Sequence, residues 1–329
     1  WVTGANGVIL CTEDGGKTWR DKTTGYPQSF TDVQFINSKT GWVTGGLYEG
    51  IQREHPVILR TDDGGRKWKV QFEGGSSSLK HLCMIDSQNG WVAGSNGLIL
   101  KTTDGGKHWK KHNAGMEFTE ETDDLFFINK NTGWILSDRY LYRTDDAGKN
   151  WHRQKLLRKI ASGHGNKLCV IDENLIFILT DNSMYIWAPT EGGEGWDRLL
   201  IKAYVSNAEL IDMHQSRTGE IRILAVQPTS IFILKSIDKC KTFEKIVCNL
   251  PIGNHYDIYN LKEMWFFDST TGWIILSDSI LKTTDGGKTW KRQKSGTINP
   301  LNRVFFINKN TGWIVGNFGT ILRTETGGD

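Results

Sequence analysis

Thr283-Thr284-Asp285-Gly286-Gly287-Lys288-Thr289-Trp290 decides the reading of this chain, because it recurs along it. Close copies occupy residues 12–19 (T-E-D-G-G-K-T-W), 61–68 (T-D-D-G-G-R-K-W), 102–109 (T-T-D-G-G-K-H-W) and 144–151 (T-D-D-A-G-K-N-W). Blurred copies end at Trp196 (P-T-E-G-G-E-G-W) and Phe243 (S-I-D-K-C-K-T-F), and a last one stops at Asp329. The copies end at 19, 68, 109, 151, 196, 243 and 290, so the period is 41–49 residues. That is the length of one four-stranded propeller blade.

Working outward from 283–290, four short runs stand as strands A to D: 263–268, 272–276, 280–283 and 291–293. Strand A is apolar and expected innermost. B opens on Gly-Trp, C runs into the octapeptide, and D starts at the octapeptide's tryptophan. Gly, Asn, Asp and Ser separate the runs, which is strand-and-turn chemistry. The first unit lacks A and the eighth lacks D. Eight B–C pairs favour eight blades, with seven as the alternative. No helical period and no linker interrupts the pattern, so residues 1–329 are expected to form a single all-β propeller domain.

The octapeptide pattern S/T-x-D-x-G-x-x-W/F reads as a self-satisfied hairpin. Glycine supplies an unusual backbone angle. The Asp and Thr oxygens accept turn N–H groups, and the tryptophan covers the turn. Asp14, Asp63, Asp104, Asp146, Asp238 and Asp285, with Trp19, Trp68, Trp109, Trp151 and Trp290, are therefore structural. One carboxylate per turn cannot supply the roughly six to eight oxygens that calcium takes. No metal and no cofactor is expected.

Composition sets outer limits. Forty Lys+Arg against 37 Asp+Glu leave a net charge of +3, too weak to indicate nucleic acid. No apolar run reaches a membrane span, so no membrane insertion is expected. The five cysteines include no C-x-x-C pair. Cys83 and Cys169 read as buried thiols, and a Cys240–Cys248 pairing stays open.

The octapeptide resembles the Asp-box, or BNR repeat, of sialidases and related propellers. The fuller frame G-W-x-x-G…G-x-I-L-x-T-x-D-G-G-K-T-W, seen over 90–109 and 312–328, is similar to that of the photosystem II assembly and stability factor family. The resemblance implies a non-catalytic, protein-binding propeller whose partners are other proteins, among them membrane-protein assembly intermediates. It also implies a periplasmic, thylakoid-lumenal or extracellular location. The rival reading is an exported glycoside hydrolase or a carbohydrate-binding BNR propeller. The chain shows no sialidase Phe-Arg-Ile-Pro segment, zinc-type His cluster, phosphate loop or G-x-S-x-G elbow. Arg60, Arg143 and Arg323, beside the octapeptides, read as strand-edge solvation.

In a propeller, D–A and B–C connections leave by one face, and A–B turns and octapeptides by the other. Departures from the repeat gather on the first face, where loops carry function on a rigid scaffold. The B–C loop at 46–56 is long and holds Tyr48, Glu49, Arg53 and His55. The D–A connections carry an acidic run (Glu117, Glu120, Glu121, Asp123, Asp124), a basic run with Arg158, Lys159 and His164, and the cluster His255, Tyr256, Asp257 and Tyr259. This face is the candidate binding surface.

Overall fold

A computed structural model describes residues 1–47, 54–117, 120–138, 140–155, 167–173, 175–180, 183–190, 193–197, 208–216, 218–227, 230–251 and 260–328. Its regular elements are strands, divided between two compact units, Trp1–Asn174 and Leu175–Asp329. The first unit opens with β1 (Val2–Thr3), β2 (Ile9–Cys11) and β3 (Arg20–Asp21), which form a three-stranded sheet. Three four-stranded sheets follow. They are β4 (Ser29–Phe35), β5 (Gly41–Leu47), β6 (Glu54–Thr61) and β7 (Lys69–Glu73); β8 (Leu79–Met84), β9 (Gly90–Gly94), β10 (Ile99–Thr102) and β11 (Lys110–Lys111); and β12 (Thr122–Phe127), β13 (Gly133–Ser137), β14 (Tyr140–Thr144) and β15 (His152–Lys155). Strand β16 (Lys167–Asp172) lies against β12.

The second unit begins with β17 (Leu175–Thr180), β18 (Ser183–Thr190) and β19 (Gly193–Asp197). Next come β20 (Glu209–Gln215), β21 (Ile221–Gln227), β22 (Ser230–Ser236) and β23 (Glu244–Val247), then β24 (Leu261–Phe266), β25 (Gly272–Leu276), β26 (Ile280–Thr283) and β27 (Lys291–Gln293). It closes with three strands, β28 (Leu301–Phe306), β29 (Gly312–Gly316) and β30 (Ile321–Thr324). Each sheet is an antiparallel meander of consecutive strands, as the A-to-D reading requires. The A strands also pack on one another within each unit: β4 on β8 on β12 on β16, and β20 on β24 on β28. They are the inner edge of their blades, as expected.

An aromatic layer joins successive blades. The tryptophan of strand B stacks on the A-strand phenylalanine of the next blade: Trp91 on Phe127 at 5.2 Å and Trp273 on Phe306 at 3.5 Å between ring centroids. The octapeptide tryptophan meets that phenylalanine edge-on, as Trp151 meets Phe127 and Trp290 meets Phe266. Trp42, Trp91, Trp134 and Trp273 are fully buried. This layer also explains the Gly before the B-strand tryptophan wherever strand A ends on phenylalanine; before Trp91 the Met84 sulfur takes the ring's place, 2.1 Å from a Cβ on Gly90. A Cβ on Gly41 or Gly272 would lie 2.6 Å from the ring of Phe35 or Phe266.

The octapeptides close as hairpins on their own side chains. In seven copies the fifth residue's N–H donates to the first residue's hydroxyl at 2.6–3.0 Å. In the six copies with an Asp, the seventh N–H donates to its Oδ1 at 2.9–3.0 Å. Positions four and five both take left-handed backbone, from Gly15 and Gly16 to Gly286 and Gly287; Ala147, Lys239 and Cys240 adopt it without being glycine. In the last copy Thr326 stands at the Asp position, and its N–H donates to Thr324 Oγ1 at 3.1 Å.

Three expectations are corrected. At 189–196 strand D begins at Gly193, not at Trp196, because β18 and β19 pair up to Thr190↔Gly193. Cys83 and Cys169 are half-buried rather than buried, while Cys240 and Cys248 are separate buried thiols. The Arg60 and Arg143 side chains are not solvated edges; they are only 15% and 13% exposed. Arg60 lies over Trp42 and donates to Gly105 O of the next blade, and Arg143 lies over Trp134.

Candidate binding face

Backbone hydrogen bonds sort the connections into two ends. At one end, octapeptide N–H groups donate to the A–B turn of the same blade: Gly64 to Lys39 O, Gly105 to Gln88 O, Ala147 to Asn131 O and Gly286 to Thr270 O, each at 2.8 Å. At the other end, B–C turns bond to D–A connections: Ser95 N to Ser78 O at 2.9 Å, Gly97 N to Glu120 O at 3.0 Å, and Asn317 N to Pro300 O at 2.8 Å. The expected division between an octapeptide end and a loop end is thus built into the backbone.

Most of the candidate residues for the loop end, Tyr48, Glu49, Arg53, Arg158, Lys159, His164, His255, Tyr256, Asp257 and Tyr259, lie outside the described residues. His55 is described. It belongs to strand β6 rather than to a loop, and its Nε2 lies 3.1 Å from Glu73 Oε1. The hairpin ladder continues to Leu47↔Glu54, which draws residues 54–56 out of the expected loop.

Two carboxylates of the acidic run, Glu120 and Glu121, are tied into the scaffold ahead of β12. Glu120 is fully buried, where it accepts the hydroxyls of Ser137 at 2.8 Å and Tyr142 at 2.9 Å and the N–H of Glu117 at 2.9 Å. Burial, with the Glu120 carboxylate beside it, raises the Tyr142 phenol. Glu121 pairs with Lys80 at 2.6 Å. Both carboxylates hold the connection down, while Glu117 stays exposed.

Sequence reasoning missed a row of polar side chains on the inner strands. A β-bulge opens most A strands and ends at Asp32, His81, Asp124, Asp212, Glu263 or Arg303. The carboxylates there reach across to the next blade. Asp32 accepts Leu82 N at 2.9 Å, Asp124 accepts Leu168 N at 3.1 Å, Asp212 accepts Met264 N at 2.8 Å and Glu263 accepts Val304 N at 2.7 Å. Burial pushes the Asp32 carboxyl up, against the N–H bonds from Leu82 and Val33. The signal was present in the sequence as one polar residue directly before each apolar A run.

In the second unit the inner strands also present His214, Trp265 and Phe305 around a cleft of about 150 Å³. Trp265 lies 4.6 Å from His214 and 5.3 Å from Phe305 between centroids. Among the described residues no group of three His, Cys, Asp or Glu could hold a metal ion, and no helix is long and apolar enough to cross a membrane.

Octapeptide hairpins, four-stranded meanders and A-on-A packing together define a BNR, or Asp-box, β-propeller. The chain belongs to the family described as photosynthesis system II assembly factor YCF48, whose family model matches residues 67–234 and 226–325. Photosystem II assembly protein Ycf48 from Synechococcus sp. (strain JA-3-3Ab) is 24% identical over 192 residues, covering 56% of this chain and 52% of that protein. The chain therefore spans about half the length of this curated relative. Among solved structures, YCF48 bound to D1 peptide aligns over 99% of this chain and 100% of its own, at 18% identity and a TM-score of 0.63. YCF48 from Cyanidioschyzon merolae aligns over 91% and 95%, at 18% identity and a TM-score of 0.61. PorZ, a type-IX secretion system component of Porphyromonas gingivalis, aligns over 97% of this chain and 50% of its own, at 12% identity and 0.62. At such identities the structural likeness shows the fold.

Proposed function

We propose that this protein is a photosystem II assembly factor that works as a non-catalytic, protein-binding propeller. The family match, which extends from residue 67 to residue 325, carries the reading. The use of the described acidic groups within the scaffold supports it, since Glu120 and the octapeptide aspartates are committed to their own loops. The loop end is the proposed contact surface, with Tyr48, Glu49, Arg53, His55, Arg158, Lys159, His164, His255, Tyr256, Asp257 and Tyr259 as its candidate residues. A preformed face loses little ordering entropy on binding.

The solved relative bound to a D1 peptide supplies the probe. The protein is expected to be retained on immobilised D1 peptide. Reversing charge with Arg158→Glu and Lys159→Glu together should weaken retention about tenfold, the order expected when electrostatic complementarity at an interface is disturbed. Unchanged retention would remove the basic connection from the face, and absence of binding by the unaltered protein would overturn the functional reading. Turnover of chromogenic glycosides would overturn the non-catalytic assignment.

A further inference from the structure

The outer edges of the blades separate charge that nearly cancels over the whole chain. In the six copies with an Asp, the residues from the sixth octapeptide position to the end of the outer strand are 17–21, 66–73, 107–111, 149–155, 241–247 and 288–293. They carry 16 of the chain's 40 Lys+Arg and only three of its 37 Asp+Glu. Lysine on an edge strand deters pairing between copies, and several of these cations are engaged locally. Arg20 pairs with Glu13 at 2.8 Å, Arg153 lies over Tyr140, and Lys245 lies over Phe232.

The seam between the β8–β11 and β12–β15 sheets differs. Residues 107–112 read Lys-His-Trp-Lys-Lys-His, without an acidic residue. Lys101, Lys110, Lys111 and His112 line an open cleft of about 520 Å³ together with Asp104 and His108. Lys101 donates to Ala147 O of the next blade at 2.5 Å, and burial, followed by repulsion from Lys149, lowers its pKa. Lys110, Lys111 and Lys149 are exposed, and none of these four lysines is in an ion pair among the described residues. The two carboxylates nearby serve their own turns. Asp104 is engaged by the Thr102 hydroxyl, the His108 N–H and the His108 ring; Asp146 is engaged by the Thr144 hydroxyl and both N–H donors of Asn150.

We propose that this seam docks an acidic, extended segment of a partner protein. The contact goes beyond the loop-end surface proposed above, because it lies at the octapeptide end. Two other chemistries fit the seam less well. A phosphate cradle needs free backbone N–H groups, but Gly105 N is bonded to Gln88 O, Gly106 N to Thr102 Oγ1 and His108 N to Asp104 Oδ1. A single-stranded nucleic acid needs exposed aromatic rings to stack on, and Trp109, the aromatic residue within the run, is buried. What faces outward is a row of ammonium groups on flexible stems, spread along one outer strand and onto the next blade. That arrangement suits carboxylates repeated along an extended chain. The like charges that keep two copies of β11 apart attract an acidic strand.

Fluorescence anisotropy of a labelled Glu-Ser repeat peptide, with a Lys-Ser repeat peptide as control, tests this on the whole protein. The Glu-Ser peptide should bind, weaken as salt is added, and shift the ring signals of His108 and His112 in NMR spectra. Lys110→Glu with Lys111→Glu should weaken binding about tenfold, following the loss of two exposed ion pairs. Both side chains are exposed, so this double variant should keep the melting temperature of the unaltered protein. Lys291→Glu with Arg292→Glu makes the same charge change on β27 and should leave the affinity unchanged. Failure of the Glu-Ser peptide to bind, equal binding of the Lys-Ser peptide, or equal losses in the two double variants would overturn the proposal. So would uptake of phosphatidylglycerol vesicles or of inorganic pyrophosphate by the unaltered protein with no peptide bound. Capture on immobilised D1 peptide reads the loop-end contact separately, so the two can fail independently.

Discussion

In the turn after β22, Asp238 Oδ1 accepts the N–H of Thr242 at 3.0 Å and the hydroxyl of Ser236 at 2.8 Å, while Oδ2 accepts the Thr242 hydroxyl at 2.7 Å. The backbone bond from Thr242 is foremost in drawing this carboxyl down from 3.8 to about 2, and the N–H of Asn150 does the same for Asp146. Because the folded-state pKa lies below the unfolded one, the stabilisation is present above the unfolded pKa and is lost as pH falls from about 4 towards about 2. Asp32 has the opposite sign, since burial raises it: its contribution is present at low pH and fades as pH rises through its folded-state pKa. Asp238→Asn and Asp146→Asn keep the shape of the turn and remove the charge. Each should lower the melting temperature near neutral pH and match the unaltered protein near pH 2, as thermal melts across that range would show. An undiminished deficit in acid would assign the loss to geometry instead. This role could be read from sequence because every partner lies within the octapeptide. The role of Arg60 could not, because Gly105 O is 45 residues away on the next blade.

At the scale of the strand, β21 shows how a blurred repeat stays a blade. Where most B strands place Gly-Trp, it has Ile221-Arg222, and its A strand has Gln215 where β4, β12, β24 and β28 have phenylalanine and β8 has Met84. With neither a ring nor a thioether lying over it, the glycine is no longer required. The Arg222 guanidinium takes the indole's place, 3.8 Å from the centroid of Phe266, and donates to Asp268 O at 3.1 Å and Ser269 O at 2.8 Å. It is fully buried and pairs with Glu220 at 2.5 Å. The strand positions were legible from hydrophobic pattern alone. The exchange of indole for guanidinium was not, since both its cause and its partners sit on neighbouring strands. Arg222→Ala should cost about 3–5 kcal/mol, because it leaves the buried Glu220 carboxylate only its longer contact with Lys235, at 3.6 Å. Adding Glu220→Ala should recover about 1–3 kcal/mol of that, because the poorly compensated buried charge is then removed as well. Urea denaturation of the two single variants and the double variant measures the coupling. Simple additivity would mean that the pair is not acting as a unit.

Across the molecule, tertiary contacts between strands of different sheets join consecutive blades within each unit: β4 to β8, β8 to β12, β20 to β24 and β24 to β28. Repeats of that kind behave as a chain of nearest neighbours, each stabilised by its own fold and by two interfaces. The periodic octapeptide made this organisation visible in the sequence, since each copy reports one blade. The loop end was harder to read because loops carry no period, and charge counted along the sequence did not reveal that Glu120 is buried or that Asp124 binds Leu168 N. Nearest-neighbour coupling makes a definite statement about how damage spreads. Arg222 touches its own blade and, through Phe266, Asp268 and Ser269, the next one. Native-state hydrogen exchange on Arg222→Ala should therefore show protection falling in β20–β23 and β24–β27, with β4–β15 keeping the protection of the unaltered protein. A fall spread evenly over both units would show instead that the whole chain opens as one cooperative body.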